Sequence, residues 1–498
     1  MNADKFASLD SEITDAQNGF NAKMANNFLE KVSAQISSSI INTDDGIMAP
    51  HLTDWRGNFS GRASALLMPT DTKMVSAIMR IADEENQVIV PQGGNTGLVG
   101  GGIPDQSGDN VILGLQKMNS IIEFSRENRT ITVQAGCILQ HIHELVGQEG
   151  LYFPLSLAAK GSCTIGGNLA TNAGGLNVLR YGTMREQCLG LQIVLSDGTI
   201  LNQLTPLRKD NTGYDLKNLF IGSEGTLGII TAACLKLVSK PMARATAIAV
   251  TDRFEHALEL LDSLQHRSGD QVESFEIMPK ALLDIVYKQF PDNAQPIQLA
   301  SGFILLMEIS SSKSDELEID DSGKPALQNL MERFLEKAFE DALITDAVIA
   351  TNEAQRQAFW AIRENAPQAT KQESWPVNTD ISVRRDKLAA FYHHASDAIR
   401  TICKNCRICG YGHVGDGNLH FNVVEAEGGD PEWPQKRAPL LAAIYTSLSE
   451  FEGSISAEHG IGQLKTDQLK DTKDAHYYRI MTQIKNTFDP KNLLNPNK

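Results

Sequence analysis

Two histidines seven residues apart, in the stretch "GYGHVGDGNLHFN" at 410–422, are the side chains of this sequence best suited to chemistry. His413 and His420 could bind a divalent ion through their imidazoles, and Glu458, in the distant stretch "SAEHGIG", could add a carboxylate. Two imidazoles and one carboxylate suit Zn2+ or a similar divalent metal, with coordination positions left open. The helical H-E-x-x-H pattern is absent, so a loop entering a strand has to bring the pair together. The same stretch carries the spacing G-x-G-x-x-G at Gly410, Gly412 and Gly415. A dinucleotide turn of that kind must open a helix whose N-terminus faces the pyrophosphate. "DGNLHFNVV" follows instead and alternates like a strand, so any nucleotide has to be held elsewhere.

The better phosphate cradle is "PQGGNTGLVGGGIP" at 91–104, directly after the short strand "QVIV". Successive main-chain N–H groups in such a loop can converge on phosphate oxygens without a side-chain cation. Two more stretches rich in Gly, Asn, Ser and Thr occur at 161–175 and 222–231, and several such loops suit a long cofactor in an extended pose. The elements between them read as α+β. "DTKMVSAIMRIADEEN" has helical spacing, "NVILGL" and "TITVQAG" are strands, "ILQHIHELVGQEG" is a helix, and "LQIVLSDGTIL" is a hairpin turning at Asp197 and Gly198. Beyond Pro241, strands and helices alternate in a pattern that suits a ferredoxin-like sheet with helices on one face. "DAHYYRIMTQIKNTFDPKNLLNPNK" closes the chain with an amphipathic helix ended by Asp489 and Pro490.

Composition narrows the classes. A chain of 498 residues implies more than one domain, and 42% hydrophobic with 21% charged residues is ordinary for a globular protein. With 45 basic against 61 acidic residues the net charge is −16, which argues against nucleic acid as a partner. The polar N-terminal segment resembles neither a secretory signal nor an Arg-rich transit peptide, and no apolar run is long enough to span a bilayer. The expectation is a cytoplasmic protein, with peripheral contact to the inner face of a membrane left open. Seven cysteines without a secretory signal are expected as thiols. Cys403, Cys406 and Cys409 begin like an iron–sulfur run but lack a fourth partner, so Cys403 is placed at a helix end and the other two in the strand "CRICGYG".

Six motifs taken together, "PQGGNTGLVGGGIP", "GSCTIGGNLATNAGG", "RYG", "GSEGTLGIIT", "GHVGDGNLHFNV" and "SAEHGIG", resemble the FAD-linked D-2-hydroxyacid dehydrogenases of the vanillyl-alcohol oxidase and p-cresol methylhydroxylase superfamily. They occur in that family's order from about Trp55 to the end of the chain, nearest the D-2-hydroxyglutarate branch, with flavin-linked D-lactate dehydrogenases beside it. The resemblance implies an N-terminal segment (1–54), a two-subdomain FAD-binding domain (55–240), a substrate or cap domain (241–454) and a C-terminal segment (455–498) that returns to the flavin. By motif, Pro91, Gly93, Gly94, Asn95, Thr96 and Gly97 would hold the pyrophosphate. Ser162, Thr164, Gly167, Asn168, Gly174, Gly228 and Ile230 would line the rest of FAD. Members that attach flavin covalently often carry a histidine in the first loop. Asn95 stands there, so non-covalent FAD is expected.

The resemblance also makes Glu458 the third metal ligand beside His413 and His420, and His459 the general base. A 2-hydroxy acid can chelate an ion through its hydroxyl and one carboxylate oxygen, which lowers the hydroxyl pKa and suits proton removal coupled to hydride transfer to flavin N5. Asn422, on the strand face of His420, is expected to hydrogen-bond the substrate, and Arg363 in "WAIREN" to hold a carboxylate. Where the hydroxyglutarate branch has a substrate-contacting Thr and Lys, this chain has Pro367 and Asn378, leaving Lys371 or Arg385 to meet a distal carboxylate. The implied reaction is oxidation of D-2-hydroxyglutarate, or else D-lactate, to the 2-oxo acid. Electrons would pass to an electron-transfer flavoprotein, a quinone or a cytochrome, and a homodimer is compatible with the sequence. A metal hydrolase would leave the glycine loops without a purpose. A silent flavin subunit would not need His459, Arg363 and three metal ligands.

Overall fold

A computed structural model of the chain describes residues 27–498 apart from 315, 317, 318 and 320–323. In the first sheet Ala65–Leu67, Val111–Gly114 and Ile89–Gln92 pair in parallel, and Ile41–Asn42 joins antiparallel at one edge. Its parallel strands are almost wholly buried, as strands covered on both faces must be. The helix Thr72–Glu85 lies against them because Val75, Ile78, Met79 and Ala82 form one stripe. Its ends follow from the sequence: Asp71 accepts the Met74 N–H at the start, and Asn86 takes a left-handed conformation at the end. The segment before residue 54 is not merely polar, since Phe28 and Val32 are fully buried in this same core.

The second sheet runs Ile121–Ser125, Thr130–Gln134, Ile229–Lys236, Cys188–Val194, Ile200–Gln203, all antiparallel. The expected hairpin is present, with Val194 opposite Ile200 and Gly198 at φ +83°. The strand Ile121–Ser125 escapes sequence patterning because it lies at an edge and none of its residues is buried.

The third sheet has the order Asp346–Ile349, Ala243–Thr251, Phe303–Ser311, Val272–Pro279, Arg407–His413, Asn418–Val424, Ile381–Ser382, every pair antiparallel. The first four strands have the ferredoxin-like arrangement, with Phe254–Ser268 and Ala326–Glu340 as crossover helices. The expectation of helices on one face only is corrected. Ala247, Ala249, Leu305 and Met307 pack toward the crossover helices. Ile248, Val250, Ile304 and Leu306 point the other way, into a second core with Leu282 and Val286 of Lys280–Gln289 and Phe359 and Ile362 of Glu353–Glu364. A strand buried on both faces is a continuous apolar run, so its sequence does not show how many layers cover it.

All seven cysteines are free thiols. Cys403 caps the helix Leu388–Ile402 and Cys409 lies in the strand Arg407–His413, as expected. Cys406 falls just short of the strand, and its thiol donates to the Cys403 carbonyl at 3.0 Å.

The C-terminal helix Ala475–Phe488 ends at Asp489, whose carboxylate accepts the N–H groups of Leu493 and Leu494 at 2.9 and 2.8 Å. The chain then runs beside Ile89: Ile89 N–H donates to the Leu493 carbonyl at 2.8 Å and Asn495 N–H to the Ile89 carbonyl at 2.9 Å. These last residues therefore brace the strand that delivers the 91–104 loop. Leu494 is fully buried there. Leu494→Ala is expected to cost about 2–5 kcal/mol in denaturant unfolding and to weaken flavin retention, read as the flavin-to-protein absorbance ratio after gel filtration.

Candidate functional site

The loop after Ile89–Gln92 is built as an anion cradle. Gln92 Nε2 donates to the carbonyls of His51 and Gly102, at 2.9 and 2.8 Å, which ties the two ends of the loop together. Asn95 sits at φ +51°, where Asn is better tolerated than bulkier residues, and its Nδ2 donates to the Pro50 and Thr53 carbonyls. Among the described residues, the N–H groups of Gly94, Asn95, Thr96, Gly97 and Leu98 have no protein acceptor. That run of unpaired N–H groups faces a cavity of about 340 Å³, within the size range of ligand sites.

Pro91, Gly93, Gly94, Asn95, Thr96 and Gly97 line this cavity, as do Thr164, Gly167, Asn168, Gly174, Gly228 and Ile230. A Cβ on Gly97 would meet no protein atom within 4 Å, so the space beside it is left for a ligand, whereas one on Gly94 would collide with the Ser162 carbonyl. Ser162 is the expected lining residue that does not line the cavity: its hydroxyl donates to the Ala159 carbonyl at 3.3 Å and its backbone buttresses Gly94. The residues present thus fit a flavin dinucleotide, with unpaired N–H groups for its phosphates.

Glu458 and His459 lie on the wall of the same cavity. The hairpin Arg407–His413/Asn418–Val424 supplies the histidines. Its register sets Tyr411 opposite His420 and His413 opposite Asn418, so all four share one face with Asn422. The seven-residue spacing is therefore a hairpin spacing. Gly417 turns the chain at φ +78° and passes so close to the Val383 carbonyl that no Cβ fits. Ligand atoms of His413, His420 and Glu458 all lie within 4.8 Å of one another.

A second trio, Asp380, His420 and His459, meets the same distance. Its carboxylate is already occupied, because Asp380 Oδ2 accepts the N–H groups of Glu458 and His459 at 3.0 and 2.8 Å and Oδ1 accepts Asn418 Nδ2 at 3.1 Å. Glu458, by contrast, accepts among the described residues only the Gly175 N–H, at 2.7 Å on Oε1. Glu276, paired across the sheet with His413, hydrogen-bonds its Nδ1 and leaves Nε2 for a ligand, the arrangement of a carboxylate-oriented metal histidine. The donor chemistry thus favours His413, His420 and Glu458.

The charges around the site are buried. Burial opposes ionisation of Glu276, but His413 and Arg363 hold its pKa down at about 2. Burial also disfavours charge on His413, yet the field and hydrogen bond of Glu276 raise it to about 9. His459 is lowered to about 4, chiefly by burial, with Asp380 opposing. Asp380 stays well below the usual carboxylate range because His459, His420 and Lys465 outweigh its burial.

Arg363, on Glu353–Glu364, donates Nε to Glu276 Oε2 at 2.6 Å and stacks over the Tyr411 ring at 4.8 Å. Among the described residues its two terminal nitrogens have no protein acceptor, which leaves a fork for an anion. Asn422 accepts the Thr379 N–H at 3.0 Å, so only its amide N–H groups remain to face a ligand. Lys371 donates to the Arg56 carbonyl at 3.3 Å. Arg385 is engaged by Gln265 and Asp262 of the helix Phe254–Ser268, which corrects its expected place near a substrate.

Sequence reading missed three carboxylates: Glu276, Asp380 and Glu224. Glu224 accepts the N–H groups of Ile461 and Gly462 at 2.7 and 2.8 Å, so the turn bearing Glu458 and His459 is held by Asp380 on one side and Glu224 on the other. Glu276 could have been noticed as an acid at an inward position of the apolar run "VESFEIM", and Asp380 as an acid in "NTDISV".

Comparison with known proteins agrees with this geometry. Residues 240–498 match the family model for the C-terminal domain of FAD linked oxidases, and residues 63–203 match an FAD binding domain. The D-2-hydroxyglutarate dehydrogenase of Danio rerio is 38% identical over 460 residues, 92% of this chain and 82% of that protein. The enzyme of the same name from Bos taurus is 37% identical over 461 residues, 92% of this chain and 80% of that one. Among solved structures, p-cresol methylhydroxylase with substrate bound superposes with a TM-score of 0.73 at 14% identity, covering 95% of this chain and 96% of the other.

The cytoplasmic location expected from the sequence does not stand, because both relatives are named as mitochondrial enzymes. That expectation rested on missing signals, and a missing signal does not select a compartment. Among the described residues no helix is long and apolar enough to cross a membrane. The chain belongs to the FAD-linked oxidases, with the vanillyl-alcohol oxidase and p-cresol methylhydroxylase fold, and is an FAD-dependent oxidoreductase.

Proposed function

We propose that the protein oxidises D-2-hydroxyglutarate to 2-oxoglutarate with non-covalent FAD and a divalent metal ion. The observation that carries this reading is that His413, His420 and Glu458 bring three ligand atoms within 4.8 Å of one another, and that Glu458 and His459 both belong to the wall of the flavin cavity. The loop from Gly93 to Gly97 and the rest of the cavity wall would hold FAD, which would supply the oxidant as a hydride acceptor. His413, His420 and Glu458 would hold a divalent ion, which would supply Lewis acidity to the substrate hydroxyl.

The chain's own residues do the rest. His459 takes the hydroxyl proton. Its Nδ1 lies 3.5 Å from Asp380 Oδ2, so Nε2 is the atom left to face substrate. Asp380 positions that imidazole by gripping the backbone on which it stands. Arg363 holds a carboxylate with its terminal nitrogens while Glu276 fixes Nε. Asn422 donates its amide to the substrate. Asn95 spends its side chain on two carbonyls of the 50–53 segment, which agrees with a flavin held without a covalent link at this loop. D-lactate is the second reading, favoured by Pro367 and Asn378 standing where the hydroxyglutarate branch has Thr and Lys.

Anaerobic addition of D- and L-2-hydroxy acids to the purified flavoprotein separates these readings. D-2-hydroxyglutarate is expected to bleach the flavin fastest, L-isomers not at all, and a chelator to abolish bleaching that Zn2+ or another divalent ion restores. Faster bleaching by D-lactate would select the second reading. His459→Ala is expected to lower the bleaching rate by about 10²–10⁴-fold with flavin still bound. Asp380→Asn, which keeps the shape but weakens the grip on two N–H groups, is expected to lower kcat by about tenfold or more with little change in KM.

A further inference from the structure

A 2-hydroxy diacid presents a second carboxylate at its far end, and enclosing that charge without a cation is costly. Arg363 has one fork, Pro367 and Asn378 carry no charge, and Arg385 is engaged by another helix. Arg56 is in a different position. It stands on a loop whose Asp54 lines the same cavity as Glu458 and His459.

Three residues, Asp54, Asn95 and Lys371, fix that loop. Asp54 accepts the N–H groups of Phe59 and Arg56, at 2.6 and 3.2 Å. Asn95 of the flavin loop binds the Thr53 carbonyl at 2.9 Å. From the cap side, Lys371 donates to the Arg56 carbonyl at 3.3 Å and lies 5.4 Å over the Trp55 ring. The main chain at Arg56 is thus held where the flavin loop meets the cap. Arg56 is half-buried and, among the described residues, its hydrogen bonds run through its backbone alone. Two residues before it Asp54 lies in the cavity wall, and the charge of Arg56 is felt by Tyr411, Asp380 and His459. Arg363, stacked over the Tyr411 ring, is paired to Glu276, whereas among the described residues no acid is hydrogen-bonded to the Arg56 side chain. A fork of five donors without an acceptor fits an anion that arrives with the substrate.

We propose that Arg56 receives the distal carboxylate of the substrate and so selects a diacid over a 2-hydroxy acid with an uncharged tail. The proposal rests on the diacid reading given above. Lys371 serves it by holding the loop, so the cation that replaces the missing Thr and Lys comes from the segment before the flavin domain's first long helix.

The test is steady-state kinetics of the holoenzyme with a dye acceptor, on D-2-hydroxyglutarate and on D-2-hydroxybutyrate, for wild type, Arg56→Ala and Arg56→Lys. Arg56→Ala is expected to lose about 100-fold in kcat/KM on the diacid, mostly through KM, and about threefold or less on hydroxybutyrate. Arg56→Lys, which keeps the charge but not the fork, is expected to recover about tenfold on the diacid. Equal losses on both acids, or an undiminished diacid reaction in Arg56→Ala, would overturn the proposal. Failure of the diacid reading itself would show in wild type alone, as no oxidation of D-2-hydroxyglutarate, and would remove this inference with it.

Discussion

Asp380 accepts the backbone N–H groups of Glu458 and His459 with one oxygen and binds Asn418 with the other. Through that single carboxylate the turn that carries Glu458 and His459 is joined to the hairpin that carries His413 and His420. Glu224 holds the other end of the turn from the flavin side. The site therefore exists only where both halves of the molecule grip one short turn. The glycines there follow from the same constraint: a Cβ at Gly460 would press on the Glu224 carboxylate and one at Gly462 would collide with the Val99 carbonyl. Such contacts leave little freedom for the turn, which is what the base proposed for His459 would need, since misplacement of about 1 Å is costly.

A second constraint is electrostatic. Glu276, His413, Arg363 and Tyr411 form a buried row in which each charge has an opposite or polarisable neighbour. Burial alone would neutralise Glu276. The Arg363 guanidinium and the hydrogen bond from His413 keep it ionised, and in that state it orients one histidine and one arginine at once. The cost of burying these charges is offset by positioning two groups with a single acid.

The sequence made much of this legible, and for physical reasons. Glycine loops that must leave N–H groups unpaired carry a composition nothing else requires, so the cavity wall from Pro91 to Gly97 could be read directly. His413 and His420 were readable as a pair, and the hairpin register explains their spacing. What stayed hidden depended on contacts distant along the chain. Glu276 meets a histidine 137 residues away, and Asp380 meets a turn 78 residues away. No local period encodes such pairs. The two-sided burial of the third sheet was hidden because "FILLMEIS" is apolar throughout, and the place of Arg385 was misjudged because sequence proximity to the site's strand says nothing about which side of the sheet it faces.

The proposed metal centre is one ion held by His413, His420 and Glu458 beside the flavin cavity. Anomalous diffraction from crystals of the active, metal-loaded holoenzyme tests it most directly. The expected result is one peak about 2.0–2.2 Å from His413 Nε2, from an imidazole nitrogen of His420 and from a Glu458 carboxylate oxygen. A peak on Asp380 and His459 instead, or no peak between the three ligands in fully active crystals, would contradict it.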